Sequence, residues 1–337
     1  MTGELEPLAA SPAAYAFAAV LGLLWGSFAN VCIYRWPPTA EFPRGRSVVW
    51  PGSHCFACGA PIRWYDNVPL ASWLWLRGRC RACEAPFSPR YLIVEALTGL
   101  LFALAWWAAT ADVPAALRGV VHAESFDIRL IRFAIYAAFS LVMVVIAFID
   151  LDHKLILNKV TVPSIAAFYA LGLLLPGHAW WSGLVGIAVG YGVPWAIGEA
   201  YYRLTGREGL GLGDAMLLAL VGALLGWRGV VASLFGGSVI GSVIAIPTVA
   251  IARWRGAPHL RRRYGLHHCR HRRRDRHGRR RAGASLMVWS LVRPLRGRAR
   301  SSLMRTELPF GPFLAMAAVF YLHAEPWIQL YFLFPGG

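Results

Sequence analysis

Charge is scarce in this sequence, and acidic charge is the scarcest. Only 15% of the 337 residues are Asp, Glu, Lys or Arg, whereas 57% are apolar and the mean hydropathy is +0.48. A soluble domain of this size carries about 25% charged residues. The composition therefore excludes an ordinary water-soluble enzyme, and the usual expectation of one or two soluble domains for this length does not apply.

A basic segment is also missing from the N-terminus. Residues 1–11 contain Glu4 and Glu6 but no Lys or Arg, so they lack the basic region of a cleavable secretory signal. The apolar run that follows is therefore expected to remain as a membrane anchor.

Long apolar runs are what the sequence has instead. Several approach the roughly 20 residues that cross a hydrocarbon core about 30 Å thick. The predicted fold class is an all-α polytopic membrane protein with about eight transmembrane helices and a small cytoplasmic four-cysteine zinc loop. The predicted spans are 13–34, 91–110, 129–149, 160–177, 182–200, 215–227, 229–252 and 308–323.

The distribution of basic residues predicts the orientation of these spans. If the N-terminus lies outside the cytoplasm, 30 of the 34 Lys and Arg fall in cytoplasmic connections, as the positive-inside rule requires. Without the Arg-rich segment 253–305 the ratio is still twelve to four. The predicted regions are 1–34 (N-terminal region and first span), 35–90 (cytoplasmic four-cysteine loop), 91–252 (membrane core), 253–307 (Arg-rich cytoplasmic insert) and 308–337 (last span and tail).

Four of the six cysteines form two Cys-x-x-Cys pairs in the 35–90 connection. The pairs are Cys55 with Cys58 and Cys80 with Cys83, a spacing typical of two knuckles that offer four thiolates to one structural Zn²⁺. The alternative is two disulfides, which are rare in the reducing cytoplasm where the predicted topology places this loop. A four-thiolate site has no open coordination position, so we expect it to stabilise the loop and to take no part in catalysis.

Acidic residues near the predicted spans are few, so each one there is a functional hypothesis. Asp150 closes the third span and Asp214 opens the sixth, both at the predicted cytoplasmic face. If these spans pack together, the two carboxyl groups share one proton, which suits aspartic proteolysis: one takes a proton from water and the other hydrogen-bonds the oxyanion. The alternative is structural, with Asp214 as a helix N-cap and Asp150 as a hydrated carboxylate.

Glycines precede the second of these aspartates. Gly211 and Gly213 are predicted to support substrate binding, because a residue without Cβ lets backbone N–H and C=O groups approach a substrate strand. The spacing is wrong for a dinucleotide-binding loop, and no strand precedes it.

At this point the sequence resembles the bacterial type IV prepilin peptidase family, which are membrane aspartic proteases of the Gly-x-Gly-Asp kind. The resemblance extends over nearly the whole chain. Its motifs include the four-cysteine loop, Gly26-Ser-Phe-Ala-Asn30, Tyr65-Asp-Asn-Val-Pro69, Ser88-Pro-Arg-Tyr-Leu-Ile-Val-Glu95, Phe148-Ile-Asp150-Leu-Asp152, Gly211-Leu-Gly213-Asp214 and Pro309-Phe-Gly-Pro-Phe313.

The resemblance implies a catalytic pair, substrates and a location. The family's catalytic aspartates correspond to Asp150 and Asp214, and Asp152 is the next candidate, expected to bind substrate or support the site. The family removes the basic leader of pilins or pilin-like type II secretion subunits at the cytoplasmic face of the bacterial inner membrane. Many members then methylate the new N-terminus with S-adenosylmethionine. Asn158 and Met216 depart from the family's usual acid and lysine at those positions.

Other interpretations of the sequence remain open. A non-enzymatic membrane adaptor would bind partners or anionic polymers through the zinc loop and the basic tract, but it leaves both membrane-edge aspartates without a role. A methyltransferase without proteolysis and an ion transporter are two further possibilities. The Arg-rich insert is expected either to lie on anionic lipid headgroups or to be a disordered low-complexity tract, with no specific nucleic acid as partner. The oligomeric state is left open.

Overall fold

The regular structure is helical. The computed structural model describes residues 11–111, 125–206, 211–254 and 309–333, and within those ranges it contains only two isolated β-bridges and no named strand. A short 3₁₀ helix spans Trp64–Asn67. The α-helices are α1 (Pro12–Arg35), α2 (Ala71–Trp75), α3 (Arg90–Thr110), α4 (Phe126–His153), α5 (Asn158–Gly172), α6 (Trp180–Thr205), α7 (Leu212–Trp254) and α8 (Gly311–Leu333). Over the described residues, the prediction of an all-α fold is confirmed.

Four helices in the described part of the chain are long and apolar enough to cross a membrane. They are α1, α3, α4 and the Leu212–Pro247 part of α7. The predicted spans 215–227 and 229–252 both fall in α7, which bends at Gly226 (φ 63°), a left-handed conformation that favours glycine. The predicted span 160–177 ends earlier, with α5 at Gly172. The count of about eight spans remains a prediction.

Two compact units are distinguished. One comprises residues 1–241 and 309–337, and the other comprises Ser242–Leu308. Both aspartates and all four cysteines of the two pairs belong to the first unit. Of the predicted Arg-rich segment, residues 255–305 lie outside the described residues.

Helices α1 and α3 pack closely because small residues lie between them. A Cβ on Gly22 would lie 2.7 Å from the carbonyl oxygen of Thr98, and one on Gly26 would lie 2.8 Å from the Cα of Glu95. In a lipid environment such small residues allow the backbones to approach and gain van der Waals contact. The pair brings the end of α1 against the beginning of α3.

Small residues also allow close helix contacts elsewhere in the first unit. Gly186 and Gly190 of α6 leave no room for a Cβ against the carbonyl groups of Gly222 and Leu218 in α7. Gly237 and Gly241 of α7 face Leu314 and Phe313 of α8, with a Cβ on Gly237 placed 3.0 Å from the Leu314 Cδ2. These contacts hold α7 between α6 and α8.

Helix α4 is the central element of the core. It packs against α1, α3, α5 and α8, and it buries Phe139, Met143, Ile146 and Ile149 almost completely. It ends at His153, and the following residue, Lys154, adopts the left-handed conformation (φ 51°) and donates its N–H to the Asp150 carbonyl oxygen at 2.8 Å. Close packing of α4 therefore fixes the position of its last turn.

Candidate active site and metal centre

Asp150 lies in the last turn of α4, where the packed core ends. Its side chain is buried, with 6% of the residue exposed, and its carboxylate accepts a hydrogen bond from the backbone N–H of Gly311 at the start of α8. Lys154 is the nearby positive charge. Such burial does not fit a hydrated carboxylate at the membrane surface, which was the structural alternative for this residue.

Asp214 lies in the first turn of α7 and is half-buried. Two hydrogen bonds join it to Gly211. The N–H of Asp214 donates to the Gly211 carbonyl oxygen at 3.1 Å, and the Asp214 carboxylate accepts a hydrogen bond from the Gly211 N–H. Since α7 begins at Leu212, Asp214 is inside the helix and not at the N-cap. Its position in the first turn places a negative charge at the positive end of the helix dipole.

Three helix ends meet at one isoleucine. A Cβ on Gly213 would lie 3.0 Å from the Ile156 Cβ, and one on Gly311 would lie 3.3 Å from the Ile156 Cδ1 and 2.5 Å from the Asp150 Oδ2. The ends of α4, α7 and α8 therefore converge, and the Asp150 charge acts electrostatically on Asp214. The arrangement places two carboxyl groups at one partly enclosed position.

Asp152, two residues after Asp150, forms an ion pair. Its carboxylate contacts the guanidinium of Arg90, the first residue of α3. Arg90 also donates to the Phe148 carbonyl oxygen at 3.0 Å and lies over the Phe148 ring. These contacts join the beginning of α3 to the end of α4.

Sequence reasoning missed two residues of the site. The sequence identifies Gly311 only as part of the Pro309–Phe313 motif, whereas its backbone N–H binds the Asp150 carboxylate. Its position between two prolines, at a helix start, was a signal that could have identified it. Ile156 carries no chemical signal, since an apolar residue after a helix end is unremarkable in sequence.

The two cysteine pairs come together as predicted. The Sγ atoms of Cys55, Cys58, Cys80 and Cys83 all lie within 4.8 Å of one another, and those of Cys55 and Cys83 are 3.8 Å apart. A tetrahedron with metal–sulfur bonds of about 2.3 Å has edges of about 3.8 Å. None of these four residues is in a disulfide. The four thiols could hold one metal ion with no coordination position left open.

The two pairs are presented by turns of the same construction. In the first turn the Cys55 N–H donates to the Ala60 carbonyl oxygen at 2.9 Å, and in the second the Cys80 N–H donates to that of Ala85 at 2.9 Å. Each turn also has a left-handed residue, Gly59 in the first and Glu84 in the second. Backbone N–H groups of Cys58 and Ala57 lower the pKa of Cys55 to about 6, which favours the thiolate that a metal requires.

An ion pair ties the second turn to the segment between the turns. The Arg81 guanidinium donates to both carboxylate oxygens of Asp66, at 2.6 and 2.9 Å. The Asp66 side chain is only 10% exposed, and its hydrogen bond with Arg81 holds the pKa of that carboxyl below its usual value. The pair therefore remains ionised at neutral pH.

Sequence comparisons relate both regions to known proteins. The profile of the family described as the bacterial peptidase A24 N-terminal domain matches residues 20–109, which include the four cysteines. The profile described as the type IV leader peptidase family matches residues 137–246, which include Asp150 and Asp214. No solved structure matches the chain significantly.

Several curated relatives carry the name prepilin leader peptidase/N-methyltransferase. The one from Myxococcus xanthus (strain DK1622) is 32% identical over 98% of this chain and 96% of that protein. Those from Neisseria gonorrhoeae and Klebsiella pneumoniae are 34% and 35% identical, over 70% and 61% of this chain and 82% and 83% of theirs. The chain belongs to the type IV leader peptidase family.

Proposed function

We propose that this protein is a membrane aspartic endopeptidase that removes the basic leader from type IV prepilins or pilin-like type II secretion subunits. The names of its relatives support the substrate class. The observation that carries the proposal is the convergence of Asp150 and Asp214, from separate helices, at one partly enclosed position beside Gly311. A structural role for either acid does not require the other to be near.

The proposed reaction uses the two carboxyl groups as an acid and a base. The ionised one takes a proton from water, and the hydroxide formed attacks the carbonyl carbon of the scissile peptide. The protonated one hydrogen-bonds the developing oxyanion and passes a proton to the departing amine. The Gly311 N–H, which already binds the Asp150 carboxylate, orients that group for the reaction.

Gly211 and Gly213 support the substrate strand in this proposal. Both lie immediately before Asp214, and Gly211 is exposed. A side chain at Gly213 would collide with Ile156, so the glycine keeps α7 close to the end of α4. The bare backbone at Gly211 leaves room for an extended peptide to approach the carboxyl pair.

The site faces the cytoplasm in the proposed topology, within a bacterial inner membrane. The ends of helices that carry Asp150, Asp214 and Gly311 lie at the same end of the first unit as the cysteine loop, because Arg90 joins α3 to Asp152. The positive-inside rule assigns that end to the cytoplasm, with the N-terminus outside. A basic leader would then be cut where it is synthesised.

The metal proposed for the four cysteines is a structural Zn²⁺. Four thiolates in a tetrahedral set with no open position are the donors typical of such a site. The loop has few buried apolar side chains among its own residues, so the metal would hold the two turns together. S-Adenosylmethionine is the proposed second substrate, because the relatives are also named N-methyltransferases.

The Arg-rich 253–305 segment is proposed to lie on anionic lipid headgroups, to which each basic residue near the surface contributes about 1 kcal/mol. The alternative of a non-enzymatic adaptor is not favoured, since it gives the converging aspartates no role and the relatives are named as enzymes.

Incubation of the purified protein, in detergent or nanodiscs, with a leader-bearing type IV prepilin tests the function directly. Intact mass of the product reports leader removal and methylation together. We expect loss of the leader with the wild-type protein and an intact prepilin with Asp150→Asn. An unprocessed prepilin with well-folded wild-type protein would reject the proposed activity on that substrate.

A further inference from the structure

A cavity separate from the aspartates opens between α1, α3 and the cysteine loop. Its volume is about 510 Å³, within the range of roughly 300–1,000 Å³ typical of small-molecule sites. Neither Asp150 nor Asp214 lines it. Its lining residues include Asn30 and Tyr34 from α1, Tyr91 and Glu95 from α3, and Phe56 and Trp73 from the loop.

A buried carboxylate faces this cavity. Glu95 is 8% exposed and accepts the Leu70 N–H at 2.9 Å, and it is also hydrogen-bonded to the side chain of Ser27. An acid in an apolar helix is costly and is a functional hypothesis by default. The proposed leader cleavage does not use Glu95, because Glu95 lines a cavity to which neither Asp150 nor Asp214 belongs.

We propose that this cavity binds S-adenosylmethionine and that Glu95 is the carboxylate that recognises it. The inference rests on the proposed function only in taking methyl transfer as the second reaction. The aromatic walls offer faces on which an adenine can stack and over which a sulfonium cation is attracted. Glu95 offers the acceptor that a cationic centre or ribose hydroxyls require.

The charges around the cavity do not suit the other substrate, the basic leader. Arg63 and Arg79 belong to its lining and would repel a peptide rich in Lys and Arg, whereas Arg81, also in the lining, is paired with Asp66. S-Adenosylmethionine carries a carboxylate as well as its positive charges. A cavity that combines arginines with two acids, Glu95 and Asp66, is complementary to that distribution.

The cavity and the aspartates share the first turn of α3. Arg90 contacts Phe148 and Asp152 on either side of Asp150. Its neighbour Tyr91 lines the cavity, and the Tyr91 carbonyl oxygen accepts a hydrogen bond from the Asn30 side-chain amide at 3.1 Å. The amine freed by cleavage is therefore formed at the same membrane face as the cavity. That amine would attack the methyl carbon, the carbon–sulfur bond would break with its electron pair left on sulfur, and the amine would release one proton.

Equilibrium dialysis of the full-length protein in detergent against tritiated S-adenosylmethionine tests the assignment without any catalytic readout. We expect Glu95→Gln to weaken binding about tenfold or more, since it removes a charge-assisted contact while keeping the side-chain size. Glu84→Gln is the matched control, because the same change is made on an exposed residue of the same loop that does not line the cavity. It should bind like the wild type.

A second variant distinguishes loss of the binding contact from misfolding. Phe56 is 55% exposed, so Phe56→Leu should leave the fold intact and still weaken binding by removing a stacking face. Metal content is measured on every variant, and if Glu95→Gln loses its metal, Phe56→Leu decides the test. Binding at wild-type affinity in the deciding variant would overturn the proposal.

The two proposals fail in different ways. A wild-type protein that removes the leader but does not bind S-adenosylmethionine overturns the cavity assignment alone. Asp150→Asn should bind S-adenosylmethionine normally although it does not cut, and this result would support two separate sites. Loss of binding in Asp150→Asn with unchanged metal content would contradict that separation and the cavity assignment with it.

Discussion

The cysteine loop and the aspartate site assemble their functional groups over different distances along the chain. Each cysteine pair is presented by a short turn closed by its own backbone hydrogen bonds, and the two turns are built alike. Asp150 and Asp214 are presented by two long helices, and a third helix contributes Gly311. The first arrangement depends on local turns and a metal, and the second depends on helix packing.

This difference predicts how each region fails. A loop without a large core of its own should collapse when its metal ligands are lost. The aspartate site should keep its geometry under that change, because α4 is packed against α1, α3, α5 and α8. Conversely, small changes at helix ends should disable the aspartates and leave the loop unaffected.

The largest effect is expected from removal of either acid. Asp150→Asn or Asp214→Asn should lower the rate of leader cleavage by about 10³-fold or more, since general acid–base catalysis contributes about 10²–10⁴. Metal content should not change, because neither residue belongs to the set of four cysteines that could hold the metal. Asp127→Asn, an exposed acid at the other end of α4, is the control and should cut normally. Cleavage that persists in both single variants would refute the aspartate pair.

A single methyl group should produce the next largest effect. In Gly311→Ala the new Cβ would lie 2.5 Å from the Asp150 Oδ2, so the carboxylate must move. A displacement of about 1 Å costs on the order of 10²-fold in rate. Gly192→Ala is the matched control, because nothing lies within 4 Å of its Cβ. Equal cleavage rates for the two variants would show that Asp150 is not positioned by Gly311.

Metal removal should affect the cysteine loop strongly and the aspartate site weakly. A strong chelator, or Cys55→Ser with Cys80→Ser, should abolish S-adenosylmethionine binding, because the loop forms one wall of the cavity. Cleavage should fall only several-fold, because a change in the loop reaches the aspartate site indirectly, through the contact of Arg90 with Asp152. Added Zn²⁺ should restore binding after chelation. Loss of cleavage as complete as in Asp150→Asn would show that the aspartate site also depends on the loop.

The same contrast explains what could be predicted from the sequence. The cysteine site was predictable because its spacing is local, and its sulfur atoms lie together as expected. The helices followed from apolar runs, and the aspartates stood out because acids are rare beside such runs. The contacts of Gly311 and Ile156 were not predictable, since they arise only when three distant helix ends meet. The cavity was missed for the same reason, because its walls come from α1, α3 and the loop.

The smallest effect concerns the ion pair within the loop. Since Arg81 lowers the pKa of Asp66, the pair's contribution to stability is present above the ordinary aspartate pKa and is lost only as pH falls through the lowered value. Asp66→Asn should therefore lower the chelator concentration needed to release the metal, by less than about tenfold. This factor should be the same at pH 7 and at pH 6. Glu41→Gln, which removes a more exposed pair with Arg46 at 3.8 Å, should have no effect. A factor that shrinks from pH 7 to pH 6 would mean that a group other than Asp66 controls metal release.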